Sequence, residues 1–421
     1  MTVQAVTAWE VLDSRGDPTV RVRVAADGGT GTFTVPAGAS TGEHEAVERR
    51  DSGDRYGGKG VRLAVQAVRE ELGPAIVGRD VTAQRRHDER LVEVDGTPDL
   101  SRLGANAVLG VSGAIARAAS AVRGEPLYQY LAASDPGPAP LPMVNMLSGG
   151  SHAPGGFPVQ DILAVPVGAD SFEAALETSW SVREALRQRI LAAGDRPLVA
   201  DEGGFSPPLQ DVEAAFELVV ASIRDAGFDP GSEVALAVDV AASEFHADGA
   251  YRLGGDCRLD RDAMVDRVSE WVETYPIVSI EDPLAEDDWS GWEALAQRLG
   301  ERVQLLADDL VVTDRGRLDR AIEQEAANAA IIKPNQAGTL TRTLDVIDAV
   351  RSAGWAGVVS ARSGETADTT IADLAVARHV GQIKIGSLAR SERLAKYNRL
   401  LEMVYRDDLD YVGTLPFSDP P

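Results

Sequence analysis

Three acidic residues close three successive apolar runs in this chain. Asp239 ends Ala-Leu-Ala-Val-Asp, Glu281 ends Val-Ser-Ile-Glu and Asp308 ends Leu-Leu-Ala-Asp. Lys333, Arg362 and Lys384 close the next three runs. If the runs are strands of one barrel, their C-terminal ends converge on one mouth. Three like charges at short range are then unfavourable unless a divalent cation lies between them. Ligation by oxygen alone indicates Mg²⁺ or a similarly hard ion. Any one of these acids taken singly is more simply a helix N-cap at a strand-to-helix turn. The ordered set, followed by Lys, Arg and Lys, is not explained by capping. Metal on one side and lysine on the other suit removal of a proton next to a carboxylate. The ion offsets the charge that forms, and a lysine held neutral by nearby positive charge takes the proton. Arg362, Ser363 and Gly364 add a planar cation and small donors suited to phosphate.

Lysine usage points the same way. Of 41 cationic side chains only Lys59, Lys333, Lys384 and Lys396 are lysine, and the rest are arginine. Arginine keeps its proton near neutral pH, so a chain drifting toward arginine retains lysine where arginine cannot replace it. Chance survival accounts for any single lysine about as well, but less well for two at equivalent strand ends. The net charge of −25 repels nucleic acid and anionic membranes. It also repels a small anionic substrate, so a site for one needs local cations or bound metal. The single cysteine, Cys257, excludes an intramolecular disulfide framework and fits a reducing cytosol. No apolar run approaches a bilayer span and the N-terminal residues lack a signal-peptide pattern, so a cytoplasmic protein is expected.

Two kinds of element must position these groups. Residues 3–9, 19–24 and 31–35 read as short strands separated by turn residues, and residues 61–131 carry helical periodicity. Prolines at 136, 138, 140 and 142 mark residues 132–142 as a linker. Beyond it, apolar runs at 234–240, 277–280, 303–306, 329–332, 358–360 and 382–385 alternate with helical stretches. That alternation predicts a parallel sheet covered on both faces, closed as an α/β barrel. A doubly wound sheet is the alternative, but no glycine-rich dinucleotide fingerprint follows an early strand. The expected organisation is an N-terminal α+β domain at 1–131, the linker, and an eight-stranded TIM-type barrel at 143–421.

At this point the residues resemble a known family, enolase (phosphopyruvate hydratase), over nearly the whole chain. The matching stretches include Asp-Ser-Arg-Gly-Asp-Pro-Thr-Val at 13–20, Gly-Ala-Ser-Thr-Gly at 38–42, Gly-Gly-Ser-His at 149–152 and Asp-Glu-Gly-Gly at 201–204. Further along stand Ser-Ile-Glu-Asp-Pro at 279–283, Lys-Pro-Asn-Gln at 333–336, Ser-Gly-Glu-Thr at 363–366 and Ala-Arg-Ser-Glu-Arg-Leu-Ala-Lys at 389–396. The resemblance implies a small N-terminal domain, a barrel and a homodimer, acting on a small phosphorylated substrate, 2-phosphoglycerate or phosphoenolpyruvate. It implies that Asp239, Glu281 and Asp308 hold a first Mg²⁺, and that Ser40 completes a second one bound with substrate phosphate. Lys333 is implied as the base at C2, Lys384 as the ligand of the substrate carboxylate, and Glu202 as the group assisting departure of the 3-hydroxyl. His152, Arg362 and Ser363 are implied around the phosphate and the closing loops. His44 matches a family histidine, with a loop anchor as the plainer reading. His87, His246 and His379 are expected on surfaces or helix faces, and Lys59 and Lys396 in structural or subunit contacts.

The chain also departs from the family pattern around that pocket. Ala361 stands where the family has His, Asp161 where it has Glu, and Ser148 where it has Asn. Ile385 and Ser387-Leu388 replace Thr and Ala-Pro. Ala361 and Asp161 both remove bulk on the side where the hydroxyl leaves, which predicts a roomier site. The leading expectation is therefore a specialised enzyme resembling carboxyphosphonoenolpyruvate synthase of phosphonate (phosphinothricin-type) antibiotic biosynthesis. Ordinary phosphopyruvate hydratase and a catalytically silent enolase-like binding protein stay open beside it.

Overall fold

The computed structural model describes residues 1–38, 42–209, 211–254 and 257–413. Strands β1 (Val3–Leu12), β2 (Pro18–Ala26) and β3 (Gly29–Thr34) form an antiparallel meander. Helices α1 (Gln84–Asp95) and α2 (Ala105–Arg123) follow. Small residues let α2 lie hard against the sheet. A Cβ on Gly113 would fall 2.5 Å from the Phe33 ring, and one on Gly110 would fall 2.7 Å from Val22 Cγ2. Among the described residues, α2 alone is long and apolar enough to cross a membrane, and it is spent as the buried core of this domain.

The barrel begins with β4 (Leu141–Ser148) and β5 (Asp161–Val165), then α3 (Phe172–Ala192), α4 (Val212–Asp225) and β6 (Ala235–Asp239). Helices and strands then alternate to the end of the barrel. These are α5 (Arg261–Thr274), β7 (Ile277–Glu281), α6 (Trp289–Leu299), β8 (Gln304–Ala307) and α7 (Arg315–Glu323). After them come β9 (Ala329–Ile332), α8 (Leu340–Ser352), β10 (Ala356–Ser360), α9 (Thr370–Ala377), β11 (Gln382–Gly386) and α10 (Ser391–Asp407). The eight strands β4 to β11 close in sequence order, so β11 pairs back onto β4 and no edge is left open. Most of these strands are buried throughout, which is why they read as continuous apolar runs rather than alternating ones.

Two expectations need correction. The sheet is not wholly parallel, because β5 runs antiparallel to both β4 and β6. Only residues 149–160 join β4 to β5, with a single 3-10 turn at Gly150–His152 too short to return the chain to the far end of the barrel, so it turns and re-enters. The expected linker also reaches too far, since Leu141 and Pro142 are the first residues of β4. The N-terminal domain is tied to the barrel mouth at several points. Ala37 and Gly364 exchange backbone hydrogen bonds of 2.9 Å, and Thr341 N–H donates to Asp88 at 2.9 Å.

Candidate active site

The C-terminal ends of β6, β7 and β8 bring Asp239, Glu281 and Asp308 to one mouth, with Lys333 after β9, Arg362 after β10 and Lys384 on β11. Capping does not explain the acids. The helices after these strands begin at Asp260, Asp288 and Asp314, whose side chains accept from Ala263, Gly291 and Arg317 N–H. The strand-end carboxylates are instead committed to lysine. Lys384 Nζ lies 2.6 Å from both Asp239 Oδ2 and Glu281 Oε2. Lys333 Nζ is paired with Asp308 Oδ2. Gln160 Nε2 donates to Asp239 at 3.1 Å, and Gln336 Nε2 to Asp308 at 2.9 Å.

Three carboxylates share two ammonium groups, and the shortfall is visible at Glu281. Its Oε1 is buried without a hydrogen-bond partner. Burial and the neighbouring Asp239 charge push its carboxyl up to about 8, and Lys384 offsets them only in part. A cation among these oxygens fits that observation, because it satisfies the orphaned atom and removes the repulsion. Among the described residues, two acidic groups already have ligand atoms within 4.8 Å of one another: Asp282, Asp308 and Asp309, and His152, Asp161 and Glu202. The set Asp239, Glu281 and Asp308 is not one of them: Lys384 bridges the first two, and Lys333 takes the third. Lys333 is also not neutral in this arrangement. Burial favours the uncharged amine, but the Asp308 carboxylate more than offsets it and raises Lys333 above the ordinary lysine range.

The same cavity is lined by an acid–imidazole cluster. His152 Nδ1 is 2.9 Å from Asp161 Oδ2, and its Nε2 is 3.8 Å from Glu202 Oε1. Burial works against the charged ring, yet the two carboxylates outweigh it and raise His152 to about 9. Glu202 is held below the ordinary range: burial alone would raise it, but His152 and Arg393 outweigh that. Asp161 starts strand β5 rather than lying in a loop, and the reversal of that strand brings its first residue to the mouth. It is fully buried beneath His152 and does not line the cavity. Its shortening therefore does not open the room expected there. Ala361 does line the cavity, beside Arg362 and Ser363.

Arg362 is buried and grips Glu45 of the N-terminal domain, with distances of 2.9 Å and 3.2 Å to the two carboxylate oxygens. Ser363 Oγ accepts from Arg15 at 3.4 Å. Ser40 lies outside the described residues. Sequence reasoning passed over Asp282, whose carboxylate accepts from Asp308 and Asp309 N–H at 2.9 and 2.8 Å. Its φ of +42° is a strained setting for a non-glycine residue, held by those bonds beside the site. The signal was present in Glu-Asp-Pro, but only the barrel shows which acid faces inward. Lys396 is wholly buried on Glu365 Oε2 and backbone carbonyls, a structural role, whereas Lys59 makes an exposed pair with Asp17. His87 is not at a surface; it sits on the buried face of α1 and bonds Asp80 O.

A closed α/β barrel with catalytic residue types gathered at the C-terminal strand ends has the layout of a barrel enzyme. The family models described as "Enolase, N-terminal domain" and "Enolase, C-terminal TIM barrel domain" match residues 3–131 and 138–413. A protein named Enolase from Acidothermus cellulolyticus is 50% identical, across 99% of this chain and 97% of its own length. The chain belongs to the enolase family.

Proposed function

We propose that this protein is a magnesium-dependent dehydratase converting 2-phosphoglycerate to phosphoenolpyruvate. The observation that carries the reading is that the lysine–carboxylate mouth and the His152–Glu202 pair line one and the same cavity. Its similarity to a relative named Enolase supports this plain reaction over the phosphonate branch. A divalent cation held by Asp239, Glu281 and Asp308 would supply positive charge against theirs and that of the enolate. Once freed of Asp308, Lys333 Nζ gives up its extra proton to solvent, and the neutral amine takes the C2 proton. Lys384 binds the substrate carboxylate, and Arg362 and Ser363 hold the phosphate, with Ser40 joining by sequence. As the C3–O bond breaks and the C2=C3 bond forms, the hydroxyl leaves as water with a proton from the Glu202–His152 side. Homodimeric assembly and a cytoplasmic location belong to the same proposal.

One observation favours a second reading, the carboxyphosphonoenolpyruvate synthase branch: Ala361 leaves room beside Arg362 where the family places an imidazole. A silent binding protein would have no need to keep Lys333, Lys384, Glu202 and the three acids together. The deciding experiment follows 2-phosphoglycerate with Mg²⁺ in D₂O. Lys333→Arg keeps the charge but cannot deprotonate, so exchange at C2 should disappear. Unchanged exchange in the variant removes Lys333 from the role of base. Turnover by the wild type on the order of 10 s⁻¹ or faster establishes the plain reaction and excludes the specialised branch.

A further inference from the structure

Two of the departures from the family pattern, Ser148 and Asp161, touch each other. They are direct cross-strand partners between β4 and β5. Ser148 Oγ donates to Asp161 Oδ1 at 2.8 Å, and Asn145 Nδ2 reaches the same oxygen at 2.5 Å and Ser148 Oγ at 3.1 Å. All three residues are buried to 1% exposure or less. The other Asp161 oxygen carries His152 Nδ1. The Ser148 backbone also ties down the loop that bears Glu202. Its N–H donates to Phe205 O at 2.9 Å, and Phe205 N–H donates to Met146 O at 2.8 Å, so the loop bearing Glu202 is clipped onto β4. A Cβ on Gly204 of that loop would lie 2.6 Å from Asn145 Oδ1 and 2.8 Å from Ser148 Oγ.

We propose that Ser148 is a positioning residue of the acid side and forms with Asp161 a matched pair that sets the height of the carboxylate under His152. Partners in neighbouring strands stand side by side on one face of the sheet, so a hydrogen bond between them requires matched lengths. Serine donates from its γ atom to an acceptor at the δ position of aspartate. The family pair, asparagine and glutamate, keeps the same offset one atom higher, δ to ε. A mixed pair breaks the match. Asp161→Glu alone lifts the carboxylate past the Ser148 hydroxyl, and Ser148→Asn alone drives an amide into the Asp161 carboxylate. The two departures are therefore one change.

This inference rests on the proposed dehydration, and its test separates the two. Ser148→Asn, Asp161→Glu and the double variant are assayed with 2-phosphoglycerate and Mg²⁺, and the low-field proton resonance of His152 Nδ1–H is recorded for each. Losing a hydrogen bond to a buried charge corresponds to about tenfold or more, so each single variant should lose at least that in kcat with little change in KM. The double variant should recover to within about threefold, and its His152 resonance should return toward the wild-type position. Ser148→Thr should retain activity, and Ser148→Ala should not. Losses that simply multiply in the double variant, or a Ser148→Ala protein with wild-type kcat and resonance, overturn the proposal. If the wild type shows neither turnover nor C2 exchange, the dehydration reading fails. The resonances then decide the pair alone: displaced in the singles and restored in the double, or not.

Discussion

The imidazole of His152 offers a direct test of the acid side through pH. It sits between Asp161 and Glu202, which raise it from 6.5 to about 9. A raised pKa means the folded state holds the proton more tightly than the unfolded chain. The resulting stability is complete below pH 6.5 and is lost as pH climbs through 9. A rise of that size corresponds to about 3 kcal/mol, and its slope between those limits is about 1.4 kcal/mol per pH unit. Glu281, raised to about 8, loses stability over an overlapping window, so wild type alone cannot isolate the histidine. His152→Gln keeps a donor for Asp161 without a titrating ring. The measurement is urea unfolding of both proteins from pH 6 to 10 with EDTA present. The stability difference between them should shrink by about 3 kcal/mol across that range. Parallel pH curves for the two proteins would show that His152 is not held as an imidazolium by its neighbours.

Further outcomes follow from other contacts. Glu281→Gln should abolish stabilisation by Mg²⁺ in thermal unfolding, and equal stabilisation of variant and wild type would exclude Glu281 as a ligand. Glu45→Ala removes the carboxylate paired with the buried Arg362 guanidinium while its Asn335 contact remains, and should cost about 3–5 kcal/mol in urea unfolding; a cost below about 1 kcal/mol would mean that the other contacts of Arg362 suffice. Gly204→Ala forces a methyl against Asn145 and Ser148, so kcat should fall while KM stays near wild type. Sedimentation should give twice the chain mass, and a monomer at micromolar concentration would refute the homodimer.

The sequence made the later barrel strands legible because each is apolar and short, with a charged residue at or near its C-terminal end. It left β4 and β5 hidden. β4 begins inside a proline-rich stretch, and β5 begins with an acid, so neither resembles the later runs. The three metal-type acids were readable from their shared position at strand ends. Asp161 was readable as a substitution but not as a buried group, because its surroundings depend on a reversed strand that no periodicity reveals. Gln160 and Asn145 carry no local signal at all: an amide becomes part of a site only through what faces it. Lys333 illustrates the limit differently. Its strand-end position suggested a base, while its protonation depends on Asp308, 25 residues earlier in the chain.

The reversed strand has a consequence in the parity of the path. A chain that climbs β5 in the ordinary sense would leave at the mouth and need one helix to descend before the next strand. Here it leaves at the floor, where β6 must also begin. Any helical excursion between them must therefore contain an even number of passes, one up and one down. The protein uses α3 and α4, and the turn between them is delivered to the mouth as a link between two helices, clipped to β4 at Phe205. Glu202 rides on that turn. One inverted strand thus gives the site a loop that springs from two helices, and outside the Phe205 clip its length can change without moving a barrel strand.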